Sequence, residues 1–198
     1  MKKLWLALWV CAALLPRAAA LSAAAAVTMD ADTGETLFAE NADSRLPMAS
    51  TTKIMTALVA LGEGDLDRVY TVKKQYAAVE GSSMYLEEGE RLTLRDTLYG
   101  LLLSSGNDAA AAVAGECGGE RAFVDKMNAK ARELGLTDTR FENPSGLPSD
   151  GHYTTARELA KITAAALRDP VFRDIVSTKT CTAAGRTLVN HNRLLSLY

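Results

Sequence analysis

The chain has 198 residues, 48% of them hydrophobic and 23% charged, a balance that excludes disordered, collagenous and coiled-coil classes. Lysine and arginine total 22 against 24 acidic residues, a net charge of −2, so no basic surface argues for nucleic acid as a partner. Two histidines and three cysteines offer no zinc-type spacing, and neither a metal nor a cofactor is expected.

The chain opens on Lys2 and Lys3, an apolar run from Leu4 to Leu15, and the small residues Ala18 to Ala20. That layout is a secretory signal peptide with a cut after Ala20. The apolar run is about 12 residues, shorter than the roughly 20 needed to span a bilayer as a helix. Residues 1–20 are therefore read as signal and 21–198 as the domain, exported to the outer face of the cytoplasmic membrane, the periplasm or the cell wall. The leader holds Lys2, Lys3 and Arg17 but no acid, so its removal leaves a more acidic protein. Cys117 and Cys181 are far apart in sequence and are read as two inert thiols rather than a disulfide.

Short strand-like runs at Ala25 to Asp30 and Glu35 to Ala39 flank Asp32-Thr33-Gly34, a hairpin turn in which glycine can supply a positive φ. A helical pattern starts at Ser50 and places Ile54, Leu58 and Leu61 on one face. Gly62 and Gly64 end it. Residues 63–92 read as irregular, with short strands at Val69-Tyr70-Thr71 and Met84-Tyr85-Leu86. Thr93 with Asp96 forms a capping-box pattern that opens an apolar helix through Leu103. Ser104-Ser105-Gly106-Asn107 breaks the chain before an alanine-rich helix from Asp108 to Glu116. Arg121 to Leu134 forms another helix, and Asn143-Pro144-Ser145-Gly146 a turn cluster. Thr155 with Glu158 repeats the capping pattern for a helix to Leu167, which Asp169-Pro170 stops. A short helix at Val171 to Val176 precedes strands at Thr178 to Thr182 and Arg186 to Asn190. Strands, then helices, then strands predict an α+β fold, with helices over a mostly antiparallel sheet.

Two segments could carry chemistry. Ser50-Thr51-Thr52-Lys53 sets a hydroxyl and an amine three apart, on one helix face. The positive end of the helix dipole favours an alkoxide at Ser50 and disfavours an ammonium, so a neutral Lys53 is a usable base. A surface lysine one turn from a helix cap would give the same four letters. Ser105-Gly106-Asn107 is either a set of local caps or a turn that pushes a hydroxyl and an amide into a cleft. The two in this order make a much stronger signal than either alone.

In those segments, and in Arg45 to Lys53, Gly81 to Leu86, Ser105 to Ala110 and Asn143 to Leu147, the chain resembles the serine D-Ala-D-Ala carboxypeptidases of peptidase family S11. These are low-molecular-mass penicillin-binding proteins. The likeness runs from about Ala25 to the last residue and implies a β-lactamase/transpeptidase-like fold with a helical subdomain. By resemblance, Ser50 is the acyl-ester nucleophile, Lys53 the general base, Ser105 a proton relay and Asn107 a substrate-binding group. The implied substrate is a peptidoglycan stem pentapeptide, with β-lactam antibiotics as covalent inhibitors.

The family's K-T-G motif departs from view. Lys179-Thr180-Cys181 is a decoy, because a side chain at the third position blocks approach of substrate to the backbone. The motif and the later strands are expected beyond Tyr198, as is any segment for membrane association. The 198 residues alone are then expected to be an incomplete, inactive catalytic domain. A non-catalytic peptidoglycan-binding relative and a β-lactamase-like hydrolase are the alternatives. No E-x-x-L-N stretch supports the latter. No G-x-S-x-G supports a Ser-His-Asp hydrolase, and His152 reads as structural.

Overall fold

A computed structural model describes residues 23–197, so the leader and its cleavage site lie outside the described residues. Strands β1 (Ala26–Met29) and β2 (Thr36–Glu40) form an antiparallel hairpin. Asp30 organises its turn: its carboxylate accepts from the amides of Asp32 and Thr33 and from the Thr33 hydroxyl. Gly34 then turns the chain at φ 77°.

A 3-10 turn at Ala49–Thr51 leads into helix α1 (Thr52–Leu61). Ser50 therefore sits on that turn, two residues before the first residue of the α-helix. Strand β3 (Val69–Thr71) and the short α2 (Lys74–Ala77) follow. The partner of β3 is β4 (Arg91–Thr93), not Met84 to Leu86. That segment cannot be a strand: the amides of Met84 and Leu86 are bound by the Asp108 carboxylate, and Tyr85 has φ 64°. Helix α3 (Leu94–Leu103) begins at a complete capping box, with Thr93 and Asp96 each serving the other's backbone amide. Thr93→Ala is expected to lower stability by about 1 kcal/mol, measured as a shifted urea midpoint with an unchanged slope.

Helices α4 (Asn107–Glu116) and α5 (Glu120–Glu133) come next, then a long loop and α6 (Ala156–Ala166). The expected second capping box is half present. Thr155 accepts from the Glu158 amide, but the Glu158 carboxylate turns to the amides of Thr137 and Asp138 and the Thr139 hydroxyl. Asp169 ends one helix and caps the next, α7 (Pro170–Ser177), by accepting from the Val171 and Phe172 amides. Strands β5 (Thr180–Ala183) and β6 (Arg186–Val189) form a second hairpin, and α8 (Leu194–Leu197) is the last described element. The turn residues Ala184 and Gly185 both have positive φ, the conformation a two-residue hairpin turn requires.

The α+β class stands, but the strands among the described residues make three separate antiparallel pairs and not one sheet. Helix α1 is the centre of the molecule, packed against α3, α4, α5, α6 and α7. Seven of its ten residues are buried, so it is enclosed on most sides and not amphipathic. Met55, Leu98, Leu101, Phe123 and Ile162 fill the core around it. Lys53 and Thr56 ride into that core on the same helix.

Candidate active site

The site is built where α1, the start of α4 and the loop at 143–147 converge. Helix α1 carries Lys53 into the interior, where the residue is 2% exposed. Its Nζ donates to Ser50 Oγ at 3.2 Å, to Asn107 Oδ1 at 2.8 Å and to the Ser145 carbonyl at 2.8 Å. Three donors thus meet three acceptors. Burial pushes the Lys53 pKa down to about 8, with the Asp108 charge opposing. Ser50 lies on the 3-10 turn with its side chain exposed, so an amine of reduced basicity sits behind a reachable hydroxyl.

Each partner of Lys53 is itself held. The Asn107 amide nitrogen donates to the Glu80 carbonyl at 2.7 Å, and its backbone amide to the Ser82 carbonyl at 2.7 Å. The amide oxygen therefore has one orientation toward Lys53. A Cβ on Gly81 would come within 2.6 Å of the Asn107 amide, so glycine lets the 80–86 loop pass that close. The buried Asp108 carboxylate ties the same loop to α4 through the amides of Met84 and Leu86 and the hydroxyl of Ser83. On the other wall, Thr56 donates to the Pro144 carbonyl at 2.6 Å. The Asn143 side chain accepts from the amides of Ser145 and Gly146. That turn presents the Ser145 carbonyl to Lys53. A backbone acceptor has no sequence signature of its own, and only the Asn-Pro-Ser-Gly cluster marked the place.

Ser105 is the least engaged of the four expected residues. It lies in the break between α3 and α4, partly exposed, at φ 55°. Its hydroxyl makes no hydrogen bond among the described residues. Ser50, Lys53 and Asn107 are joined directly through the Lys53 amine, and Ser105 has no hydrogen bond to them among the described residues. Ala49, next to Ser50, also has a positive φ of 45°. Backbone held in sparsely populated regions gathers at functional sites. Lys179 is exposed at the edge of the β5–β6 hairpin, with no bond to the Ser50 cluster among the described residues. Cys117 and Cys181 are free thiols, and burial pushes Cys117 up to about 11. No group of three potential metal ligands occurs among the described residues.

A family model described as D-alanyl-D-alanine carboxypeptidase, peptidase S11, matches residues 12–198. The D-alanyl-D-alanine carboxypeptidase DacF of Bacillus subtilis is 40% identical over 89% of the chain, and a D-alanyl-D-alanine carboxypeptidase of a Streptomyces species is 37% identical over 90%. The chain spans about half of the first relative, 48%, and 69% of the second. Among solved structures, a D-alanyl-D-alanine carboxypeptidase of Mycobacterium tuberculosis superposes with a TM-score of 0.84 at 36% identity, covering 88% of this chain and 68% of that one. A mutant of a Streptomyces DD-transpeptidase also gives 0.84, at 38% identity over 88% of this chain and 76% of that one.

Proposed function

Because the chain belongs to the D-alanyl-D-alanine carboxypeptidase family, peptidase S11, we propose that its protein is a serine carboxypeptidase that removes the terminal D-Ala from peptidoglycan stem pentapeptides. The observation that carries this reading is the buried Lys53 amine, lowered to about 8 and shared by Ser50, Asn107 and Ser145.

In the proposed reaction, neutral Lys53 takes the Ser50 hydroxyl proton as Oγ bonds to the carbonyl carbon of the penultimate D-Ala. The tetrahedral intermediate collapses by breaking the C–N bond. The leaving D-Ala nitrogen receives the proton through Ser105. Water then attacks the acyl-ester, giving the shortened peptide and restoring Ser50. Asn107 orients the Lys53 amine and holds the substrate amide, and the Ser50 N–H donates to the developing oxyanion. A β-lactam presents a strained amide to the same hydroxyl and acylates it. The protein is assigned outside the cytoplasm, where its substrate lies, with residues 1–20 as signal.

The test uses the full-length protein. Fluorescent penicillin is expected to label it stoichiometrically and Ser50→Ala not at all, with D-Ala released from a stem pentapeptide by the unmutated protein alone. Labelling that persists in Ser50→Ala would defeat the assignment of the nucleophile, and rapid nitrocefin turnover would point to a β-lactamase instead.

The pH dependence has a definite sign. Lys53 accepts a proton only when neutral, so the acylation rate should climb with pH and reach half its plateau near 8. A stopped-flow profile that is flat between pH 6 and 10 contradicts this role.

A further inference from the structure

Thr52 and His152 are both buried, at 1% and 5% exposure, and neither has a part in the proton transfers above. They meet directly: Thr52 Oγ1 lies 2.7 Å from His152 Nε2. The other ring nitrogen, Nδ1, accepts from the Glu142 backbone amide at 3.0 Å. An amide can only donate, so these partners assign the proton to Nε2 in a neutral ring. Nε2–H then donates to Thr52 Oγ1, whose own O–H donates a hydrogen bond to the Ala49 carbonyl at 2.8 Å. The chain of donors runs one way, from Glu142 N–H through His152 and Thr52 to Ala49. Burial pushes the imidazole pKa below its ordinary value, against a smaller opposing pull from the Glu142 carboxylate. Phe141 sets the ring edge-on, with centroids 5.8 Å apart at 80°.

What the chain ends on matters. The Ala49 carbonyl belongs to the peptide group whose N–H is that of Ser50. A peptide group is planar, with its C=O and N–H pointing in opposite directions. Fixing the oxygen therefore aims the hydrogen. Ala49 also holds a φ of 45°, a strained value that persists only where surrounding contacts impose it. Gly146 closes the other side of the same oxygen, since a Cβ there would overlap it.

We propose that Thr52 and His152 are positioning residues, which hold the Ala49–Ser50 peptide so that the Ser50 N–H points at the acyl oxygen in the transition state. This rests on the reading of Ser50 as nucleophile. A donor chain aligned in one direction also polarises the peptide and strengthens its N–H as a donor.

Acylation of the full-length protein by a fluorescent penicillin, resolved into pre-covalent binding and limiting rate, tests it. Thr52→Val keeps the shape and removes the hydroxyl. It is expected to lose about 10- to 100-fold in limiting rate, less than outright removal of an oxyanion donor, with pre-covalent binding within about twofold. Thr52→Ser, which restores the hydroxyl, should stay within about threefold of the unmutated rate by the same argument. If Thr52→Val acylates within about twofold of the unmutated protein, or if Val and Ser are equally slow, the positioning role is overturned while Ser50 keeps its assignment. Failure of the unmutated protein to acylate overturns both. Should Thr52→Val not fold, the same contrast is read one link earlier. His152→Gln retains a donor and an acceptor and should remain fast, whereas His152→Leu should be slow. Equal rates for those two overturn the proposal.

Discussion

Replacing Lys53 with methionine is expected to slow acylation of Ser50 by about 10²- to 10⁴-fold, the range over which a positioned general base acts. Methionine matches the length of the aliphatic stem and fills the same space, so the fold should survive. Two stability effects oppose each other. The Asn107 and Ser145 oxygens lose a donor, while the cost of burying an amine disappears. The pH dependence separates them. The folded pKa lies near 8, below the ordinary 10.5, so the native state binds fewer protons than the unfolded chain between those values. The lysine therefore weakens the fold below pH 8, and that cost is relieved as pH rises toward 10.5. Relative to Lys53→Met, the unmutated protein should therefore gain stability as pH rises through this window, in melts followed from pH 7 to 10. An acylation rate within tenfold of the unmutated protein at pH 9 would remove Lys53 from the role of base.

The second large effect is expected at Gly146. It has φ 89°, and an added Cβ would overlap the Ala49 carbonyl, which is backbone and cannot swing aside. Gly146→Ala should cost about 3–5 kcal/mol, combining left-handed strain with overpacking against a fixed group. The displaced atoms are the Ala49 carbonyl, adjoining Ser50, and the loop that offers the Ser145 carbonyl to Lys53. Acylation should therefore fall further than the loss of folded protein accounts for. Gly34→Ala is the control: Gly34 also has positive φ, at 77°, but a Cβ there meets nothing within 4 Å. If the two variants lose equal stability and equal activity per folded molecule, the close approach at Gly146 has no special weight.

What was legible in the sequence follows from which interactions leave a mark on side-chain identity. The helix start at Thr93 was readable because a capping box is made by particular residues. The stop at Asp169-Pro170 was readable because proline disfavours helix before it, though Asp169 as a cap of the next helix went unread. Ser50 and Lys53 were readable because a three-residue spacing on a helix has one geometric meaning, even though a 3-10 turn at Ala49–Thr51 displaces Ser50 from the helix proper. The Ser145 carbonyl was invisible as an acceptor, since every residue has one. Met84 to Leu86 looked like a strand because its composition suits one. A carboxylate 22 residues from Leu86 took the amides a neighbouring strand would need. His152 was read as structural; it is buried, and its contact with Thr52 spans 100 residues, so no local pattern could announce it. Strand β4, three residues long with an exposed arginine, offers too little pattern for its pairing to β3 to be foreseen.

The way Asp108 grips the 80–86 loop bears on how such a site could change over generations. It holds Met84 and Leu86 by their amides, which every residue except proline carries. Arg186 grips the Tyr85 carbonyl in the same indifferent manner. Met84 is locked by its side chain, packed against Gly100, where a Cβ would collide with its sulfur. Tyr85, by contrast, is 78% exposed on an anchored backbone. Mutational drift can therefore try asparagine, aspartate or glycine at position 85, the residues most at ease with its positive φ, without loosening Asn107. Variation in what this exposed loop offers to its surroundings is uncoupled from the machinery at Lys53, and a library randomised at position 85 should keep most of its members foldable.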